Sequence, residues 1–341
     1  MKSWIVYTLL LSAVLMSSIW HVVGKLALTH GMDASVFLVY RLLFTACILF
    51  FALRFVLRIA LVPVAREHRV RILLLGGCTF MHSIMFVYGL QLTTPFLCAV
   101  MQPSVPVFVW LLSVTMGIEQ SNLRKAIGVG LCSVGAVGAA AASSYHSKST
   151  TESSSISDFE LGSILIVIQC VFYAIHLVFQ QTLFQTFPPV QVTAMLYLIA
   201  GIITLILTLG RTIFPFHTAQ PYWPLSHDPT AWLALGFCVL FASAFTHGIY
   251  SWASKRVAPT TVSCFITVEP ITTTIVSLVI TQSGLPSGIE ALCAATVACG
   301  VLMVLRGGNN DTVTAKYEPV TEEFQLEESP YSPPRRKSTV V

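Results

Sequence analysis

Between Trp4 and Arg306 the chain alternates long apolar runs with short polar breaks. The runs last about 20 residues, the length an α-helix needs to cross a hydrocarbon core of roughly 30 Å. Apolar residues fill them continuously, which excludes the alternating strands of about 10 residues that build a membrane barrel. The pattern predicts an all-α membrane protein with ten transmembrane helices, at 4–28, 34–55, 70–91, 95–117, 124–143, 160–184, 189–210, 231–253, 259–282 and 287–306. The first run follows Lys2, as a signal peptide would. It continues to Leu28 without a small-residue cleavage site, so it is expected to stay as a span.

Positive charge in the breaks sets a direction. If the N-terminus faces the cytoplasm, that side carries Lys2, Arg54, Arg58, Arg66, Arg69, Arg71, Arg124, Lys125, Lys255, Arg256, Arg306, Lys316, Arg335, Arg336 and Lys337. The opposite side then carries only Lys148 and Arg211. Lysine and arginine mark the cytoplasmic side, so both termini of this multi-pass chain are expected there.

The runs also repeat. Pro95 and Pro106 stand eleven apart in the fourth span, as Pro259 and Pro270 do in the ninth, with 164 residues between the pairs. Upstream of each pair lie aromatics, Tyr88 in one half and Tyr250 and Trp252 in the other, and a histidine, His82 or His247. Each unit closes on a helix rich in small residues, which permit close helix approach in lipid. Five spans per unit is an odd number, so the second unit enters the membrane upside down. The expected organisation is a five-helix repeat at 1–143, an extracytoplasmic or luminal Ser/Thr-rich link at 144–159, an inverted repeat at 160–306, and a polar, acidic cytoplasmic tail at 307–341 with the composition of a disordered segment. Transporters recurrently use such architecture, with the solute bound near the midplane where the repeats meet.

At these residues the chain resembles the drug/metabolite transporter superfamily, in its EamA-type branch with ten spans. The matching features are Trp20 and Lys25, Arg41, the segment from Thr94-Pro95 through Pro106, and the segment from Pro259-Thr260 through Glu269-Pro270 with Ile271, Thr272 and Thr273 after it. The resemblance covers about residues 5–306. Within the branch it is similar to plant-type permeases for amino acids and auxin-like compounds, although Thr93-Thr94-Pro95 and the extra Pro103 depart from their pattern. The resemblance implies transport of a small metabolite and leaves amino acids, nucleotide precursors and sugar phosphates all open.

Composition narrows the classes further. Of 341 residues 55% are hydrophobic and 10% charged, and mean hydropathy is +0.77. Soluble domains carry about 25% charged residues. The nine cysteines all lie inside apolar runs and no CxxC occurs, so they read as packing residues and no metal site is expected. No basic segment interleaved with aromatics suggests nucleic acid. No GxxxxGK[ST] suggests ATP hydrolysis, and no cofactor is implied. The spans contain no aspartate and their histidines are scattered, which leaves a membrane-embedded enzyme as a remote alternative.

Polar residues inside the spans are the candidate chemistry, because each charge at depth costs about 2.5–3.5 kcal/mol on insertion scales. Glu269 is eleven residues into the ninth span, roughly 16 Å at 1.5 Å per residue, and so near the midplane. It is a candidate proton site, with His82 and His247 as further candidates for coupling, and a candidate contact for a substrate amine. Lys25 and Arg41 are candidates for a carboxylate or phosphate. Gln102 and Gln180 both donate and accept, and Tyr88, Tyr173 and Trp252 are candidate aromatic walls, with Trp20. Pro95, Pro103, Pro106, Pro259 and Pro270 interrupt their helices and free carbonyls toward a cavity. The reading is alternating-access transport of an amino acid or related organic acid, with proton coupling at Glu269. A nucleotide-sugar or sugar-phosphate exchanger and a Mg²⁺ or other metal carrier are the alternatives, although one midplane carboxylate is few ligands for such an ion.

The expected partners are the small-molecule solute and the lipid bilayer, with a second copy of the chain as a candidate. The tail adds a candidate sorting-adaptor contact at Tyr317-Glu318-Pro319-Val320, a PDZ-type end at Thr339-Val340-Val341 and a phosphorylation sequence at Arg335-Arg336-Lys337-Ser338.

Overall fold

A computed structural model of the chain describes residues 3–117, 122–150, 156–213, 228–257, 259–266, 269–280 and 288–307. Among these, every regular element is a helix. The tail and its motifs lie outside them.

The first half contains α1 (Ser3–Thr29), α2 (Ala34–Phe51, continued by a π-helical turn at Ala52–Val56), α3 (Arg66–Leu92), α4 (Pro95–Met101), α5 (Ser104–Thr115) and α6 (Leu123–Thr150). The second contains α7 (Ile156–Leu183), α8 (Pro189–Ile213), α9 (Pro229–Phe237, continued by a π-helical stretch at Cys238–Phe245), α10 (Thr246–Ser254), α11 (Pro259–Phe265), α12 (Glu269–Ile280) and α13 (Gly288–Gly307). Helix therefore falls on each of the ten predicted stretches, and seven of them are long and apolar enough in the described residues to cross a membrane.

One boundary differs from expectation, and the interruptions expected at the prolines are present. The predicted link at 144–159 is mostly helical, with α6 running to Thr150 and α7 starting at Ile156. Its serines and threonines cost only up to about 0.7 kcal/mol each in a helix, so leaving the hydrocarbon need not end one. The fourth and ninth spans are each broken into a seven-residue and a twelve-residue helix. Thr94 caps α4 by accepting from the Leu97 N–H, and Pro95 occupies the first turn, where a missing N–H costs nothing. At the first break Gln102 and Pro103 separate α4 from α5.

Contacts between corresponding helices show the inversion directly. Asp33, which caps the start of α2, accepts two hydrogen bonds at 3.0 Å from Arg211 near the end of α8. At the other end, Gln191 near the start of α8 both accepts from the Val62 N–H and donates to the Val62 carbonyl, beyond the end of α2. The second and seventh spans, equivalent in the repeat, thus run antiparallel. Burial pushes the Asp33 carboxyl up, but hydrogen bonds from Ser35, Arg211 and the Val36 N–H, with the charge of Arg211, outweigh it and hold the group below its ordinary value.

The fifth and tenth spans pair the same way, through their small residues. A Cβ on Gly300 would lie 2.6 Å from the Gly128 carbonyl oxygen, and one on Gly135 would lie 2.9 Å from that of Cys293. Early α6 therefore meets late α13, and later α6 meets early α13. Gly300→Val is expected to force these backbones apart at a cost of about 1–3 kcal/mol. The check is a thermal unfolding scan in detergent, in which an unchanged midpoint would contradict the close packing.

Candidate functional site

The helix breaks and the π-helical stretch converge on one buried cavity of about 50 Å³. That is room for a few water molecules, so admitting a metabolite requires the surrounding helices to part. Ser17, Trp20 and His21 reach it from α1, Arg41 from α2, and His82, Ser83 and Phe86 from α3. Gln102 and Ile266 come from the two breaks, Gln169 and Tyr173 from α7, His247 and Tyr250 from α10, and Glu269 from the start of α12. Gln102 and Ile266 are 164 residues apart, the offset of the proline pairs, so the repeat places the same position of each half at the cavity.

Arg41 is buried at 7% exposure. Its Nε donates to Ser243 Oγ at 2.8 Å, and its guanidinium carbon lies 4.1 Å from the Trp20 ring centre. Ser243 is carried by the π-helical stretch, a wide turn of the kind that recurs at functional sites. Trp20 stacks in turn on Phe37, with centroids 5.6 Å apart. Among the described residues no carboxylate lies within ion-pair distance of Arg41. A buried guanidinium held by one hydroxyl and one aromatic face retains donors for a planar anion.

Glu269 opens α12, where the positive end of the helix favours a negative group. Its Oε2 lies 3.8 Å from His21 Nε2, with both side chains almost fully buried. The Thr272 and Thr273 hydroxyls hold this end of α12 to α1, bonding the Ser18 hydroxyl and carbonyl respectively. The histidines that precede the two proline pairs meet around Tyr173, whose ring is 5.0 Å from that of His82 and 6.3 Å from that of His247.

Of the residues singled out in the sequence, Trp20, Arg41, His82, Gln102, Tyr173, His247 and Glu269 come together here. Lys25 does not. Its Nζ donates to the carbonyls of Leu90, Gln91 and Thr93 at 2.6–2.8 Å, capping the negative end of α3. Trp252 lies under the Arg256 guanidinium at the end of α10, and Tyr88 lies beside Arg211 at the opposite end of the bundle. Gln180 is buried near the end of α7, where its neighbour Gln181 bonds the Ser254 carbonyl. Pro95 and Pro103 sit at helix starts and Pro270 in the first turn of α12, while Pro106 is inside α5.

Two comparisons bear on this arrangement. The EamA-like transporter family matches residues 4–141 and, a second time, 160–306. The chain belongs to the EamA-like transporter family. A solved crystal structure also aligns with it at TM-score 0.63 and 17% identity, over 90% of this chain and 100% of its own, which is a likeness of fold. This EamA-like protein is accordingly an integral membrane transporter of small solutes.

Ser17, His21, Ser83, Phe86 and Gln169 line the cavity but were not singled out in the sequence. They share a signal, helical spacing of polar and aromatic residues inside an apolar run. Ser17, Trp20 and His21 follow it on α1, Thr79, His82, Ser83 and Phe86 on α3, and Gln169, Tyr173 and His176 on α7. Thr79 Oγ1 lies 3.0 Å from His176 Nδ1, next to the cavity.

Proposed function

We propose that this EamA-like transporter carries a small organic acid, with amino acids included, by alternating access through the central cavity. One observation carries the reading: Arg41 is buried, faces the cavity and has no carboxylate partner among the described residues. A cation left this way in a membrane interior is costly unless an anion completes it. Trp20, Phe86, Tyr173 and Tyr250 offer faces for the apolar part of such a solute. Lys25 is committed to α3, so among the described residues Arg41 is the one fixed cation lining the cavity. That suits a monocarboxylate better than the phosphate groups of a sugar phosphate or nucleotide sugar. Among the described residues lining the cavity Glu269 is the single carboxylate, which argues in the same way against a Mg²⁺ carrier.

Glu269 is the proposed coupling group, since it can take up and release a proton inside the cavity that binds the solute. With both termini cytoplasmic, the Asp33–Arg211 link lies on the outer face. Uptake into proteoliposomes, screened over organic acids, nucleotide sugars and Mg²⁺, tests the assignment. Saturable uptake of a carboxylate is expected, and uptake confined to a nucleotide sugar or a metal ion would overturn it.

A further inference from the structure

His21 adds a second function to the acidic side of the cavity. Its Nδ1 lies 3.1 Å from the Ser17 carbonyl oxygen, which can only accept, so Nδ1 carries the hydrogen. In the neutral ring Nε2 is then an acceptor. It has no hydrogen-bond partner and faces Glu269 Oε2 at 3.8 Å. The Ser17 side chain already hydrogen-bonds the Glu269 carboxylate, but Nε2 has no donor, and a donor placed between it and Oε2 would serve both acceptors. The gap is too long for a direct hydrogen bond, but it suits a donor set off the line, at about 2.9 Å from each atom. An ammonium group can fill that place with two of its three N–H bonds.

Building on the carboxylate reading above, we infer that His21 Nε2 and Glu269 form a clamp occupied by either the solute's protonated amine or one exchangeable proton. Charge makes the two exclusive. A proton on the pair leaves it neutral, either as imidazolium with carboxylate or as imidazole with carboxylic acid. An ammonium beside carboxylate and neutral imidazole is neutral too. Both together would leave an extra positive charge in the cavity that holds Arg41. When the amine binds, the proton therefore leaves the pair for water, and when the amine departs a proton returns. The other titratable or charged groups turned toward the pair are Arg41 on α2, His82 on α3, Cys170 and Tyr173 on α7, and His247 and Tyr250 on α10. None is a carboxylate, so among the described residues no other acid can take the amine.

Binding of phenylalanine and of its amine-free analogue 3-phenylpropionate to the purified full-length protein in nanodiscs tests the clamp. Proton release is followed in weak buffer with a pH dye. Phenylalanine is expected to bind about tenfold more tightly or better, the scale of a hydrogen bond to a charged group, and to release about one proton per site. 3-Phenylpropionate is expected to bind without release. Glu269→Gln should bring the two affinities together and abolish release. His21→Asn, which keeps a donor for the Ser17 carbonyl, should lower the preference without abolishing binding. Equal affinities in the wild type, or an unchanged preference in Glu269→Gln, would overturn the clamp and leave the carboxylate reading standing. Binding of neither probe would overturn both.

Discussion

Arg41→Ala is expected to reduce transport of the organic acid by about two to three orders of magnitude while leaving the protein folded in the membrane. The size follows from what is removed. Truncating one partner of a buried charge pair costs about 2–5 kcal/mol, and every 1.4 kcal/mol is about tenfold. The folded state should tolerate the change because, among the described residues, no carboxylate is left unpaired behind it. Ser243 loses one bond, and the insertion cost of a charge at depth disappears. Arg41→Lys should recover part of the activity, because charge returns but the planar fork and its stacking on Trp20 do not. Solute binding to purified variants, beside their surface expression, checks both halves. Wild-type binding in Arg41→Ala would remove the residue from the site, and loss of expression would show its role to be structural.

Glu269→Gln should separate coupling from translocation. The amide keeps the shape of the side chain and cannot ionise. Accumulation of an organic acid driven by an imposed pH gradient should fall to background, while exchange of the same acid down its own gradient persists. The start of α12 should stay in place, because the Thr272 and Thr273 bonds to Ser18 do not involve the carboxyl. If accumulation still follows the pH gradient, coupling passes to His82 or His247, which face the same cavity.

Much of the fold was legible because lipid simplifies the problem. Backbone polar groups must be satisfied within each span, so run length and loop charge suffice to expect helices and a direction. The prolines at 95 and 259 marked the two helices that break, and their common offset led to the position where Gln102 and Ile266 reach the cavity.

The site was only partly legible, for a physical reason. A charge inside a span has two ways to lower its cost, by facing a cavity or by bonding free carbonyls, and the sequence does not distinguish them. Arg41 takes the first and Lys25 the second, because α3 ends beside it. His21 was the reverse case. In the sequence it was one of several scattered histidines, and its significance came only when α12 brought Glu269 to within 3.8 Å. That contact joins residues 248 positions apart, which no local pattern conveys.

Counterflow tests most directly the claim that this transporter carries its solute through an alternating cavity. Proteoliposomes loaded with unlabelled organic acid are diluted into a trace of the labelled acid, and internal label is followed in time. A carrier whose site faces each side in turn must give a transient overshoot of label above its equilibrium value, and Arg41→Ala must not. A monotonic rise in the wild type, or an equal overshoot in Arg41→Ala, would contradict the account.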